Sequence, residues 1–86
     1  MPDRSSHSLR MGLARQIRLL REDRQLTQEK LAFHAGLHRN YVSLLERGLK
    51  SPTVDVLHRL ARALAVKAST LLASAEEGIH PETSNE

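Results

Sequence analysis

A run of seven side chains between residues 39 and 50 carries the recognisable chemistry of this sequence: Arg39, Asn40, Tyr41, Ser43, Leu44, Arg47 and Lys50. All lie off the apolar positions Val42 and Leu45, so a helix over this stretch turns the first six outward together, with Lys50 in the loop that follows. An arginine fork matches two acceptors on the edge of guanine, and an asparagine amide matches a donor and an acceptor on adenine. Arg39 and Asn40 stand at the start of the helix. Ser43, one turn on, reaches a base directly or through water. Leu44 either meets a thymine methyl or packs against the protein. Tyr41 is exposed by periodicity and would rest its ring on the sugar–phosphate wall. Arg47 and Lys50 follow the helix and suit backbone phosphates by charge and position. The chemistry is that of reading double-stranded DNA.

The segment that must position these groups is Thr27 to Gly48. Thr27 is an expected N-cap, and Glu29 puts negative charge in the first turn, where the helix dipole favours it. Leu31, Ala32 and Ala35 form one apolar face. Gly36 follows and can take the left-handed conformation that ends a helix, and Leu37 tucks the turn beneath the pair. A second helix starts near His38 or Arg39 and stops at Gly48. Two helices this short cannot stand alone, because nucleation is costly and each buries little. Their arrangement is a helix-turn-helix with the second helix as the reader.

The remaining chain provides the framework. Leu9, Leu13, Ile17 and Leu20 form an inward stripe that predicts a helix over residues 8–24. Arg10, Arg15, Arg18 and Arg24 lie mostly off that stripe, on a solvated face. Pro52 precedes a helix capped by Thr53, with Asp55 in its first turn and Val54, Leu57, Leu60, Ala61 and Leu64 expected inward. A fifth helix is expected over residues 68–75, with Leu71 and Leu72. The expected organisation is a flexible arm (1–7), a helical domain (8–75) and a disordered acidic tail (76–86).

Composition narrows the function further. The chain has 86 residues and no cysteine, which excludes disulfides and thiolate zinc sites and fits a reducing cytoplasm. Phe33 and Tyr41 are its only aromatic residues, so the core must be aliphatic, and an all-α bundle of five short helices suits that better than a sheet. No apolar run approaches the roughly 20 residues that span a membrane. The net charge of +3 is split: residues 1–75 hold all 13 basic residues against 6 acids, giving +7, while residues 76–86 hold 4 acids and no base. A basic body favours a polyanionic partner. His34 and His38 are four apart, but Gly36 interrupts the helix that would align them, so neither a metal nor any other cofactor is expected. No nucleophile–base pair or carboxylate dyad suggests an enzyme.

The segments Leu26-Thr27-Gln28, Leu31-Ala32, Ala35-Gly36-Leu37, Val42-Ser43, Leu45-Glu46-Arg47-Gly48 and Pro52-Thr53 occur in an order and spacing that resemble the Cro/CI-type (XRE) helix-turn-helix regulators of bacteria and phages. The resemblance extends from about Leu13 to Leu72. It implies a lambda-repressor-like domain in which Gln28 touches a phosphate and braces the reading helix, and in which Arg21 pairs with Glu46. It also implies a left-handed residue at Gln25, where many relatives carry glycine; Gln25 there costs on the order of 1 kcal/mol. Ala65 and Lys67 likewise replace the usual helix stop and cap. The RNYVSLLERG stretch is similar to the small controller proteins of restriction–modification systems. Such a regulator occupies an operator and blocks or recruits RNA polymerase, as a homodimer on a two-fold symmetric site. Val66, Leu71 and Leu72, with Val54, are expected to form the dimer patch. An antitoxin-like or adaptor protein that uses the same fold to bind protein is the rival reading. The outward Arg39, Asn40, Arg47 and Lys50 argue against it.

Overall fold

The computed structural model describes residues 4–77, with side chains from His7 onward. These residues form five helices: α1 (Arg4–Asp23), α2 (Gln28–Ala35), α3 (Arg39–Glu46), α4 (Val54–Ala63) and α5 (Ala68–Glu77). No strand occurs among them, as the aliphatic composition implied. The core draws on every helix: Leu13 and Ile17, Leu31, Ala32 and Ala35, Val42 and Leu45, Leu57, Leu60 and Ala61, then Leu71 and Ala75. Leu64, just past α4, completes it. Helix α1 packs along α5 and across α3, while α2 packs on α3 and α4.

Three expectations are corrected. Helix α1 begins at Arg4, so residues 4–7 extend the helix rather than form part of an arm. Lengthening a helix from an anchored turn costs little, and no residue from 4 to 9 is a breaker. Val54 is 83% exposed, although the apolar pattern placed it inward. It is the first residue of α4, and the inward register of that helix runs through Leu57, Leu60, Ala61 and Leu64. Leu71, assigned to a surface patch, is fully buried in the chain's own core. It shares with Ala75, one turn later, the face of α5 that enters the core. Glu76 and Glu77 are the last described residues of α5; the rest of the expected tail, 78–86, and residues 1–3 of the expected arm lie outside the described residues.

The crossing of α1 and α5 depends on Gly12, a residue the sequence pattern did not single out. A Cβ there would lie 2.6 Å from the Ala75 carbonyl oxygen, so any side chain would force the helices apart. A glycine inside a helix costs stability, and close packing is a common reason for one.

Four turns share one device. Backbone φ is positive at Gln25 (58°), Gly36 (69°), Gly48 (72°) and Ala65 (61°). In each case the next residue donates its N–H to a carbonyl five residues back. The bonds are Leu26 to Arg21 (3.0 Å), Leu37 to Ala32 (2.8 Å), Leu49 to Leu44 (3.0 Å) and Val66 to Ala61 (2.9 Å). This closes the helix end, and the apolar residue that follows is placed to pack back beneath it. Leu26, Leu37 and Val66 do so, while Leu49 remains 60% exposed. On the N-terminal side, Thr27 and Thr53 accept hydrogen bonds from the amides of Lys30 and Val56, as their positions implied.

Gln25 and Ala65 therefore hold a conformation that favours glycine, and both side chains are exposed. Relief of the Cβ clash outweighs the extra chain entropy that glycine brings to the unfolded state. Gln25→Gly and Ala65→Gly should each stabilise the domain by about 0.5–1 kcal/mol, a rise of a few degrees in Tm. Thermal denaturation followed by circular dichroism checks this. An unchanged or lower Tm would mean that the turns carry no strain.

Candidate nucleic-acid interface

The outward face of α3 is held in place from behind by a buried charge. Glu46 closes α3, and its side chain is only 2% exposed. A carboxylate so placed needs several donors to offset the water it has lost. Arg21 of α1 provides two: its Nε donates to Oε2 at 2.6 Å and its Nη2 to Oε1 at 3.0 Å. Gln28 at the start of α2 provides a third, from Nε2 to Oε1 at 3.0 Å. Arg21 also donates from Nη1 to the Leu26 carbonyl in the turn between α1 and α2, at 2.8 Å. The hydrogen bond to Glu46 holds the Arg21 guanidinium above its ordinary pKa, against a smaller opposing effect of burial. The fork-to-carboxylate geometry fixes orientation as well as distance. One carboxylate thus ties α1 and α2 to the end of α3, and no described side chain leaves a buried polar atom without a partner.

Two further contacts hold α3. At its start, His38 accepts a hydrogen bond at Nδ1 from the Asn40 amide, at 3.1 Å, and so serves as the N-cap. Beyond its end, Arg10 of α1 donates from Nε to the Gly48 carbonyl at 2.8 Å. Neither contact was read from the sequence. The cap had a local signal, a polar side chain just before the first helical residue. The Arg10 tie had none, since it joins residues 38 apart.

With α3 fixed, its outward side chains fall into place. Arg39 and Asn40 are exposed at its first two positions, and Arg47 and Lys50 are exposed beyond its other end. Asn40, Ser43 and Arg47 share a sector of roughly 60° opposite the core stripe. Ser43 and Leu44 are half-buried. Tyr41 is a correction: it is half-buried and packs against the core instead of standing free. It precedes Leu45 by one turn, at the edge of the inward stripe, so only part of its ring is open to solvent. Gln28 sits beside this surface with one amide hydrogen given to Glu46, which leaves a second for another acceptor. Arg39, Arg47 and Lys50 make no ion pair with any described residue. Three free cations around one rigid helix form a surface complementary to a polyanion.

Against known proteins, the family model for helix-turn-helix proteins (HTH_3) matches residues 17–71, well over half of the chain. The chain belongs to this helix-turn-helix family. It is a DNA-binding transcriptional regulator of the XRE type, a non-enzymatic class. Control protein C.BamHI of Bacillus amyloliquefaciens is 43% identical over 58 residues, 67% of this chain and 69% of that protein. Among solved structures, the restriction–modification controller protein C.AhdI from Aeromonas hydrophila is similar at a TM-score of 0.69 and 36% identity. That match covers 71% of this chain and 92% of the other. The clp gene regulator ClgR from Corynebacterium glutamicum is similar at a TM-score of 0.78 and 29% identity, covering 84% and 92%. Among the described residues, this regulator has no helix long and apolar enough to cross a membrane and no cluster of residues suited to a metal ion.

The Glu46 clamp makes a prediction about stability. Arg21→Ala should cost about 3–5 kcal/mol, because it strands a buried carboxylate. Glu46→Ala should cost somewhat less, since Arg21 is 13% exposed and reaches water more readily, but still more than Ser43→Ala. Urea denaturation of both single variants and the double variant measures the coupling. Strictly additive losses would show that the pair does not act as a unit.

Proposed function

We propose that this helix-turn-helix regulator is a controller-type protein that binds a two-fold symmetric operator as a homodimer, with α3 in the major groove. The observation that carries the reading is the trio of unpaired cations, Arg39, Arg47 and Lys50, around a helix locked at both ends. In this reading Arg39 and Asn40 contact base edges, Ser43 and Leu44 approach them one turn further on, and Arg47, Lys50, Gln28 and Tyr41 contact the sugar–phosphate backbone. Similarity to C.BamHI and C.AhdI supports the controller assignment over a phage-type repressor. Occupancy of the operator would then block RNA polymerase or contact it directly.

Phe33, 81% exposed on α2, is the one feature that favours the protein-binding alternative. It supports a protein contact in addition to DNA and not in place of it, because an adaptor role would leave the three cations without an anion. For the dimer, Leu72 on α5 and Val54 on α4 are the exposed side chains among the four expected in the patch. Val66 is half-buried and contributes only an edge, and Leu71 is committed to the core. Pairing along α5 would set two reading helices about 34 Å apart, one turn of DNA.

Two measurements test this. With the region upstream of the gene as probe, Arg39→Ala should weaken binding by about 1–3 kcal/mol and relax preference at one base position. Lys50→Ala should weaken all sequences alike and flatten the dependence on salt. Variants that bind operator and random DNA as the parent does would remove α3 as the reader. In sedimentation, Leu72→Asp should convert a dimer to a monomer. A variant that stays dimeric would move the interface elsewhere, and a parent that stays monomeric at high concentration would end the dimer proposal.

A further inference from the structure

The split in charge along the chain has a spatial counterpart at the end of α5. Glu76 and Glu77 are exposed in the last described turn of that helix, which holds no basic residue. Ala75 meets α1 at Gly12. The adjacent Met11 sulfur occupies the space over Gly48, where a Cβ would fall, and Arg10 donates to the Gly48 carbonyl. The end of α5 and the turn carrying Arg47, Gly48, Leu49 and Lys50 therefore flank neighbouring residues of α1. Residues 78–86 add Glu82 and Glu86 and no base. Nine extended residues span up to about 30 Å, enough to reach that turn.

We propose that the acidic segment 76–86 docks on the rim formed by Arg10, Arg47 and Lys50 and competes there with DNA phosphates. The function of this docking rests on the DNA-binding reading above. The competition is selective by position. The segment covers cations at the C-terminal end of α3 and leaves Arg39 and Asn40 free at the other end, about 12 Å away along an eight-residue helix. It therefore suppresses sequence-independent binding, which depends on phosphate contacts, more than operator binding, which also draws on base contacts. Regulators with many non-specific competitors gain from that difference.

The test uses the full chain. Because it lacks cysteine, Ser84→Cys takes a single nitroxide label. In the free protein the label should broaden the amide signals of residues 47–51, and the signals should recover when a random-sequence duplex is added. Broadening confined to α4 near Arg59 and Arg62, or none beyond α5, overturns the proposal. In a second arm, the variant E76Q/E77Q/E82Q/E86Q should bind a random duplex roughly tenfold more tightly at low salt, as expected on losing a tethered competitor at millimolar effective concentration. That gain should fade as salt shortens the screening length, and it should be smaller on the operator. Equal affinity for the random duplex overturns the competition. A parent that binds no duplex would fail the DNA reading instead, while the spin-label arm would still report whether the segment docks.

Discussion

A single buried carboxylate decides where this domain's working surface points. Glu46 is the only charged side chain in the core among the described residues, and it lies at the end of the helix that carries the outward arginines. Left unpartnered, it would be an uncompensated buried charge. Partnered by Arg21 and Gln28, it instead requires α1, α2 and α3 to meet in one geometry, because a planar fork and a planar carboxylate fit together in few ways. Aliphatic contacts between short helices tolerate sliding and rotation far better than this does. The apolar core gathers the helices, and the clamp sets the angle at which α3 leaves it.

The same arginine chemistry serves opposite ends in this molecule. Arg21 is saturated by protein acceptors and contributes to the fold. Arg39 and Arg47, with Lys50, have no ion partner among the described residues and remain available outside. The difference lies in surroundings and not in residue type: one side chain faces a buried carboxylate across a helix junction, and the others face solvent from a helix whose inward stripe is filled by Val42 and Leu45. A surface with unspent positive charge on a rigid support is what a phosphate-lined groove recognises.

Short helices also mean frequent ends, and the chain handles four of them in one way. A left-handed residue followed by an apolar one closes α1, α2, α3 and α4 in turn. Two of the four positions carry no glycine, so the fold maintains Gln25 and Ala65 in a disfavoured conformation. The hydrogen bonds at these ends and the burial of Leu26 and Val66 offset that strain. The turn after α3 is the exception, with Leu49 exposed and Arg10 holding the Gly48 carbonyl instead.

Much of this was legible in the sequence alone, because helices, caps and left-handed stops depend on residues within about five positions of one another. The five helices, the caps at Thr27 and Thr53, the stop at Gly36 and the outward placement of Arg39, Asn40, Arg47 and Lys50 all rest on such short spacings. The Arg21–Glu46 pair came from the resemblance to a family, since nothing local links two residues 25 apart. Tertiary structure alone decided the rest. Periodicity marks Leu71 and Val54 as apolar but not which of them a neighbouring helix will cover, so one entered the core and the other did not. It cannot show that Gly12 must lack a side chain, because the obstacle is a carbonyl from the opposite end of the domain. The physical reason is the same in each case: local pattern sets which side of a helix is apolar, whereas helix crossings set what stands against it.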